Sequence, residues 1–269
     1  MPPAIDTVSF TVTAAAVAGS AMAAVAGDSA SLRQCNTPPG GVAASLLNAW
    51  CDTDSNGWVQ VTSPKLTDAT RGLRFRTSTH AVSPFLLRNS LQPLYPVDVL
   101  SPTLSSVAGA GKIDNLTLLV YYYDLLGSAA RFVDPGTVDK NSKEVMTVET
   151  ILTPASGSTY ANAQALNAQS DLGKAGSDYA LIGYVASSAA SGTTITWRGA
   201  DSGNYRVSGP CTVGNSEYTA SWFYDLSDYN SLPMIPVFNY NNKAGIFIEL
   251  LSNDLLTVVN VTSIFARLT

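Results

Sequence analysis

The sequence predicts an all-β protein built from two tandem β-sandwiches, together with one short helix. Three observations lead to this fold. Short runs rich in β-branched and aromatic residues recur along the chain, and clusters of Gly, Pro, Asn and Asp separate them. Helical patterns are rare. The order of strands and turns in the first part of the chain is repeated in the second part, which indicates an internal duplication.

The strand signals are strong because their residues have high β-propensity and several of the runs alternate in polarity. One segment differs from this pattern. Ala161–Lys174 (ANAQALNAQSDLGK) is polar, rich in Ala and free of β-branched residues, which predicts a short helix. Strands are predicted at Val8–Thr13, Trp58–Thr62, Leu73–Thr77, Leu116–Tyr123, Tyr179–Val185, Thr193–Trp197, Ser221–Tyr224, Ile246–Leu251 and Thr257–Phe265.

The internal duplication is clearest between residues 46–77 and residues 181–212. Each segment runs from an apolar strand through a small polar turn ending in glycine to a second strand. A loop containing Pro or Gly and a third strand around an arginine follow in both segments. The alignment matches Gly57 with Gly192 and Leu46-Leu47 with Leu181-Ile182.

These repeats predict where the two halves begin and end. The first half is expected at 1–126, a linker at 127–144 and the second half at 145–269. The linker contains Pro135-Gly136 and a cluster of charges, as domain boundaries often do. Each half has room for about eight strands, the number in a jelly roll. The predicted fold is therefore two tandem eight-stranded jelly-roll sandwiches.

The composition favours an assembled protein over a nucleic-acid-binding one. Charged residues make up 13% of the 269 residues, about half the usual share. A folded chain with so few charges often hides much of its surface against other subunits. The net charge of −5 argues against sequence-specific nucleic-acid binding. Cys35, Cys51 and Cys211 have no paired spacing, so we interpret them as small apolar residues.

The segment CDTDSNGWVQV at residues 51–61 resembles the first half of a calcium-binding loop. Asp52, Asp54 and Asn56 occupy the first three ligand positions. A calcium-binding loop has an acidic residue at position 12, but this chain has Ser63 there. The matching segment at 186–197 keeps a glycine and has no carboxylate. We therefore interpret the three side chains as caps of a turn between strands, and we expect no bound metal or cofactor.

A small basic patch is formed by Arg71, Arg74 and Arg76 in the run RGLRFR. Because side chains alternate along a strand, Arg74 and Arg76 are expected on the same face. This face is interpreted as solvated or as paired with acids of another subunit. The alternative is an inner-surface contact with DNA or with anionic lipid headgroups beneath a shell.

Patterns for catalysis are weak, and the chain is not expected to be an enzyme. His80 is the sole histidine, and no nucleophile-elbow motif accompanies it. The aromatic runs Tyr121–Tyr123 and Trp222–Tyr224 are expected to fill a core on one side and a neighbour contact on the other. The carboxylates considered for glycosidase chemistry lie in no motif and are interpreted as solvated loop residues: Glu149, Glu217, Glu249, Asp225 and Asp228.

Two jelly rolls in one chain, with few charges and no catalytic set, resemble the double jelly-roll major capsid proteins of tailless icosahedral double-stranded DNA viruses. The resemblance covers the whole chain and rests on duplication, strand order and composition. It implies a homotrimer that forms a pseudo-hexagonal capsomer and tiles a shell, often around an internal membrane. It also implies synthesis in the host cytoplasm, location in the virion, and contacts with neighbouring capsomers and other virion proteins.

Within this resemblance, Ala161–Lys174 would match the short helix that such jelly rolls often carry. Two alternatives share the tandem sandwich fold. One is a minor capsid, decoration or tail-associated β-protein of a tailed phage. The other is a tandem carbohydrate-binding or lectin-like module.

Overall fold

The structure is a computed structural model that describes most of the chain, and the described part is mostly β-strand in antiparallel sheets. The all-β prediction is therefore confirmed. Among the residues described, no helix is long and apolar enough to cross a membrane. The described residues are 3–13, 19–36, 41–52, 57–64, 72–77, 82–83, 92–95, 98–106, 113–154, 156–161, 164–165, 175–187, 193–211, 219–256 and 258–269.

The first half of the chain forms two sheets. Sheet 1A has the strand order β3-β1-β10-β4, with β7 and β8 both paired to β4, and sheet 1B has the order β2-β9-β5-β6. The strands are β1 (Ala4–Thr13), β2 (Ser20–Ala21), β3 (Ala23–Ala24), β4 (Ala44–Asp52), β5 (Gly57–Thr62), β6 (Leu73–Thr77), β7 (Val82–Ser83), β8 (Gln92–Leu94), β9 (Ser101–Ser106) and β10 (Ile113–Tyr122).

The second half also forms two sheets. Sheet 2A has the order β11-β17-β14-β19-β12, and sheet 2B has the order β13-β18-β15-β16. The strands are β11 (Phe132–Val133), β12 (Glu144–Leu152), β13 (Gln164–Ala165), β14 (Asp178–Ser187), β15 (Thr193–Arg198), β16 (Val207–Cys211), β17 (Ile235–Asn239), β18 (Phe247–Leu251) and β19 (Val259–Arg267). The helices are α1 (Pro135–Asn141) and α2 (Trp222–Asn230), and short 3-10 turns lie at Ala200–Ser202 and Tyr240–Gly245.

The two halves share one strand order. The order β1-β10-β4-β8 in sheet 1A corresponds to β12-β19-β14-β17 in sheet 2A, taking strands in chain order within each half. The order β2-β9-β5-β6 in sheet 1B corresponds to β13-β18-β15-β16 in sheet 2B. All strands of a given sheet come from the same half of the chain.

A matching β-bulge marks the duplication at the level of single residues. In sheet 1A, Val120 pairs with Leu46 and Leu119 with Asn48, so the register skips Leu47. In sheet 2A, Leu181 and Gly183 pair with consecutive residues of β19, so the register skips Ile182. A bulge inserts one extra residue and bends its strand. The predicted alignment of Leu46-Leu47 with Leu181-Ile182 is confirmed, whereas Gly192 lies outside the described residues.

Apolar side chains between the sheets form the cores. In the first half they include Phe10, Val59 and Leu118. A second cluster contains Trp197 and Phe265 of the second half. That cluster continues into side chains of sheet 1A, so the second core and the contact between the halves form one apolar body.

Two local predictions are wrong. Ser221–Tyr224, predicted as a strand for its aromatic residues, lies at the start of α2, where buried Phe223 packs edge-on against Trp197 at 5.8 Å. Packing has overridden β-propensity there. The helix predicted over 161–174 is wrong at Gln164–Ala165, which form β13 and pair with β18. Residues 162–163 and 166–174 lie outside the described part.

The predicted linker at 127–144 contains regular structure. α1 begins after Asp134, whose carboxylate accepts a hydrogen bond from the Thr137 backbone N–H at 2.9 Å. Pro135 follows at the first helical position, where its missing N–H is not needed. Val138 is buried on sheet 2A beside Ile235, so α1 packs on the second half.

Replacing Gly183 with alanine is expected to lower the free energy of unfolding by about 3 kcal/mol. Gly183 follows the bulge in β14, and a Cβ atom there would lie 2.4 Å from the backbone oxygen of Ala220. Urea unfolding of Gly183→Ala measures the loss. Gly245→Ala is the matched control, because a Cβ there meets no atom within 4 Å. Equal losses in the two variants would contradict a steric cause.

Candidate functional site

Among the described residues, an extensive polar contact between distant parts of the chain lies where the outer face of sheet 1A meets the outer face of sheet 2B. The Thr7 Oγ1 atom lies 2.7 Å from the Ser208 Oγ atom. The Trp50 indole N–H donates to the Thr194 hydroxyl oxygen at 2.8 Å, and the Thr117 hydroxyl lies 2.7 Å from the same oxygen. All five side chains are buried, so this contact excludes water.

Apolar side chains surround these hydrogen bonds. Ile5, Leu119 and Tyr121 of sheet 1A belong to the buried cluster of the second half. The ring of Trp50 meets the ring of Trp222 edge-on, with 6.3 Å between centroids. Burial of this much apolar surface holds the two halves together as one unit.

The aromatic run on β10 behaves as its alternation predicts. Tyr121 faces the contact between the halves, and Tyr122 faces the core of the first half. Tyr121 also packs edge-on against Tyr123, with ring centroids 5.1 Å apart. Tyr121 and Tyr122 therefore face opposite sides of the sheet, as predicted, whereas the same prediction for Trp222–Tyr224 is wrong because that run lies in α2.

A charged cluster lies beside the apolar part of the contact. The Arg206 Nη1 atom binds Asp28 Oδ1 at 2.7 Å, and its Nε atom binds Glu249 Oε2 at 2.8 Å. The Arg198 Nε atom binds the other oxygen of Glu249 at 3.0 Å. The guanidinium of Arg206 also lies 4.1 Å from the ring centroid of Tyr160. One arginine of the second half therefore joins an acid of each half.

A second pair extends this cluster. Asp6, the third residue of β1, binds the Arg33 Nε atom at 2.5 Å. It also accepts a hydrogen bond from the backbone N–H of Arg206 at 3.3 Å. The guanidinium of Arg33 lies 4.4 Å from the ring centroid of Tyr205. The loop that precedes β16 is thus held to β1 by its backbone and to Arg33 by the side chain of Tyr205.

Burial sets the protonation of the two aspartates. Desolvation raises the pKa of Asp28 to about 6, against the opposing effect of Arg206. Desolvation also raises the pKa of Asp6, against the opposing effect of Arg33. Both carboxyl groups therefore hold a proton at higher pH in the folded protein than in the unfolded chain.

The stability of the contact is expected to depend on pH through Asp28. Its folded pKa of about 6 lies above the ordinary value of 3.8, so the folded protein binds more protons between these values. Stability from this group therefore falls as the pH rises from about 4 to about 6. The free energy of unfolding of the native protein minus that of Asp28→Asn, measured with urea at several pH values in this range, should decrease as the pH rises.

Asp178 supplies the control for this titration. Its hydrogen bond with Arg131 lowers its pKa, so it titrates below the range in question. Asp178→Asn should leave the fall between pH 4 and 6 unchanged. Parallel curves for the native protein and Asp28→Asn would contradict the assignment to Asp28.

Of the predicted basic patch, the structure places the side chain of Arg74, which lies on the outer face of sheet 1B. Arg74 is exposed, its Nε atom donates to the Gln60 side-chain oxygen at 3.2 Å, and its guanidinium lies 5.1 Å from the Trp58 ring centroid. Arg76 pairs with Trp58 through the backbone, two residues further along β6. Arg71 lies outside the described residues.

The calcium interpretation involves residues that the structure describes only in part. Asp52 is the last residue of β4, and its backbone pairs with Asn115. Its side chain, Asp54 and Asn56 lie outside the described part, as does His80. Among the residues described, no three His, Cys, Asp or Glu side chains form a group that could hold a metal ion.

The carboxylates considered for catalysis occupy different surroundings. Glu249 is buried on β18 between two arginines, so its interpretation as a solvated loop residue is wrong. Glu149 on β12 and Asp225 and Asp228 on α2 are exposed, so they are solvated as predicted but do not lie in loops. The Ser221 hydroxyl binds Asp225. Glu217 lies outside the described residues.

The cysteines are thiols rather than disulfides, and two of them lie in the cores. Cys51 and Cys211 are buried, and Cys35 is half-buried. Burial raises the pKa of the Cys35 thiol to about 11, so this thiol stays protonated at neutral pH. The interpretation of Cys51 and Cys211 as small apolar residues is confirmed.

The charged cluster was missed by the sequence analysis, although one signal was available. Asp6 and Glu249 each interrupt an apolar strand, and a charge at such a position needs a buried partner. The partners Arg33 and Arg206 lie far away in the chain and carry no motif. Alternation along a single strand could therefore locate the acids but could not pair them.

Comparison with known proteins adds little to this picture. No protein-family model matches the chain, and no curated protein matches it. A solved structure, the crystal structure of PBSX exported protein XepA, aligns over 98% of this chain and 86% of its own, at 10% identity and a TM-score of 0.17. A TM-score this low carries no argument about fold or function.

Proposed function

We propose that the chain is a double jelly-roll major capsid subunit, which forms trimeric pseudo-hexagonal capsomers of an icosahedral virus shell. The observation that carries the proposal is the duplicated strand order. When β3 and β7 are left out of the first half and β11 out of the second, each half has eight strands, which can be numbered in chain order. One sheet of each half then contains strands one, eight, three and six, and the other sheet contains strands two, seven, four and five. An eight-stranded jelly roll made of two Greek keys is expected to have this order, which supports the proposal.

The character of the surface supports an assembled shell protein. Large obligate interfaces are depleted of charge, and charged residues make up 13% of this chain. Val145 and Ile151, both on β12, each expose 63% of their surface. Exposed apolar residues on one sheet face are typical of a face that another subunit covers.

The tight contact between the halves also fits a shell block. A capsomer must transmit lateral forces between its subunits without its own jelly rolls separating. The buried hydrogen bonds of Trp50 and Thr7 and the ion pairs of Arg206 hold the halves in a single arrangement. A chain with that rigidity can present the same lateral surfaces in every copy.

Mass measurement and electron microscopy of the purified protein test the proposal. Light scattering is expected to give three times the chain mass, and micrographs should show hexagonal outlines built from three chains. Monodisperse monomers at high protein concentration would refute it.

The same preparation separates the two alternatives. A minor capsid, decoration or tail-associated protein would be a scarce component of purified particles, whereas a major capsid subunit should be the dominant band. Binding to defined sugars on a glycan array by the monomer would favour the carbohydrate-binding module.

A further inference from the structure

The face of sheet 1A that contacts the second half has an exact positional counterpart on sheet 2A. Thr7 of β1 pairs with Leu119 of β10, and Thr147 of β12 pairs with Ile264 of β19. The bulges fix this alignment, because Leu119 lies beside the first bulge and Ile264 beside the second. Thr147 is therefore the counterpart of Thr7, and Glu149 is the counterpart of Ser9.

Along β12, the counterpart face is exposed where the original is buried. Thr7 and Ser9 are buried against the second half. Thr147 and Glu149 are exposed, as are Val145 and Ile151 on the same side of β12. Sheet 2A thus repeats the geometry of the docking face of sheet 1A and is uncovered along β12, whereas α1 covers it further across at Ala180 and Ala266.

Sheet 1B is likewise the counterpart of sheet 2B, which contacts sheet 1A within the chain. The pairing of β5 with β6 spans the same number of residues as the pairing of β15 with β16, which aligns Trp58 with Thr194 and Arg74 with Ser208. Trp58 is 38% exposed and Arg74 is exposed. In the described part of the chain, the β12 side of sheet 2A and the face of sheet 1B at Trp58 and Arg74 are therefore both open to a partner.

The two uncovered faces are complementary in size. In the contact within the chain, Trp50 of sheet 1A lies on the small side chain of Thr194. The counterparts of this pair are Val185 and Trp58, because Val185 pairs with Thr262 as Trp50 pairs with Thr117. In the first pair of faces the tryptophan lies on sheet 1A, and in the second pair it lies on sheet 1B. Each pair of faces therefore places one tryptophan opposite one small residue.

The two faces are also complementary in charge. The contact of Thr7 with Ser208 at 2.7 Å would place Thr147 of one chain opposite Arg74 of the other. Glu149 lies two residues from Thr147 on the same side of β12, within reach of an arginine side chain. An acid on one face therefore meets a base on the other, which favours this pairing over the pairing of two identical faces.

We infer that the outer face of sheet 2A, at Val145, Thr147, Glu149 and Ile151, docks on the outer face of sheet 1B of a second copy of this chain, at Trp58 and Arg74. The contact repeats between chains the arrangement that joins the halves within a chain. It is heterologous, so it propagates from copy to copy until it closes into a ring. This inference rests on the proposed trimer and identifies its interface.

Charge reversal tests the pairing of Glu149 with Arg74. Glu149→Lys and Arg74→Glu each place like charges opposite one another, and each is expected to raise the protein concentration needed for assembly by about tenfold or more. The combined variant restores the opposite signs and should recover most of the loss. Analytical ultracentrifugation over a concentration series gives the protein concentration needed for assembly of each single variant and of the combined variant.

Cysteine cross-linking tests the register. Thr147→Cys and Arg74→Cys chains are mixed, exchanged and oxidised, and a disulfide dimer is expected from the mixture but from neither variant alone. The Cys35 thiol contributes little background at neutral pH, because its pKa is about 11. Thr147→Cys mixed with Asn241→Cys is the control, since Asn241 is exposed in a 3-10 turn away from both faces.

The outcomes separate this inference from the proposed function. A trimer that neither charge reversal weakens, and that gives no disulfide in the mixture, would overturn the interface and leave the capsid proposal standing. A native protein that stays monomeric at every concentration would overturn both. Restoration by the combined variant, with the disulfide in the mixture, supports both.

Discussion

Arg206→Ala is expected to lower the free energy of unfolding by about 3–5 kcal/mol. The guanidinium binds Asp28 and Glu249, and all three side chains are largely shielded from water. Removal of the arginine leaves two carboxylates in a low-dielectric contact with one cation fewer. The loss is measured by urea unfolding at neutral pH, where the desolvated carboxylates cost most.

Arg131→Ala is the matched control for this substitution. Arg131 also binds an aspartate, Asp178, but its side chain is 43% exposed. An exposed ion pair contributes about 0–1 kcal/mol, because water solvates both partners when the pair is broken. Losses of similar size in the two variants would mean that burial at the contact between the halves does not set the strength of the Arg206 pairs.

The strands with strong alternation could be predicted from the sequence alone, and the reason is local. On β5, Val59 and Val61 face the core while Trp58 and Gln60 face outward, as a period of two requires. The duplication was also visible, because both copies kept the apolar pair that forms the bulge, at Leu47 and Ile182. These features depend on neighbours close in the chain.

The parts that could not be predicted depend on residues far apart in the chain. The run that forms the start of α2 has strand-like residues, and it is helical because Phe223 and Trp222 fill space beside Trp197 and Trp50. β13 is two residues long and owes its extended form to pairing with β18. Such elements follow from the packing of the whole fold and leave little signal in their own composition.

The contact between the halves could be anticipated only in outline. Its polar members on sheet 1A are Thr7, Ser9 and Thr117. From the sequence alone, such small hydroxyl residues are expected on a solvated face. They are buried because the second half supplies matching hydroxyls at Thr194 and Ser208. A surface that pairs with another surface through hydroxyl groups has the same composition as an exposed sheet face. The sequence alone therefore cannot distinguish the two.

Trp50→Ala is expected to lower the free energy of unfolding by about 3–5 kcal/mol. Trp50 is 1% exposed and joins the halves twice, through its indole N–H to Thr194 at 2.8 Å and through its edge-on contact with Trp222. The substitution opens a cavity at the centre of the contact and leaves the Thr194 hydroxyl with one partner fewer. Thermal unfolding should shift to lower temperature, and protease cleavage between the halves should become faster.

Two further variants separate the causes of that loss. Trp50→Phe keeps most of the ring and removes the indole N–H, so it should cost about 1–2 kcal/mol, the share of the hydrogen bond and the smaller ring. Leu126→Ala removes an apolar side chain that is 49% exposed, and its effect should stay within about 0.5 kcal/mol. If Trp50→Ala destabilises the protein no more than Leu126→Ala, the halves are held together chiefly by the charged cluster at Arg206, and the apolar contact is secondary.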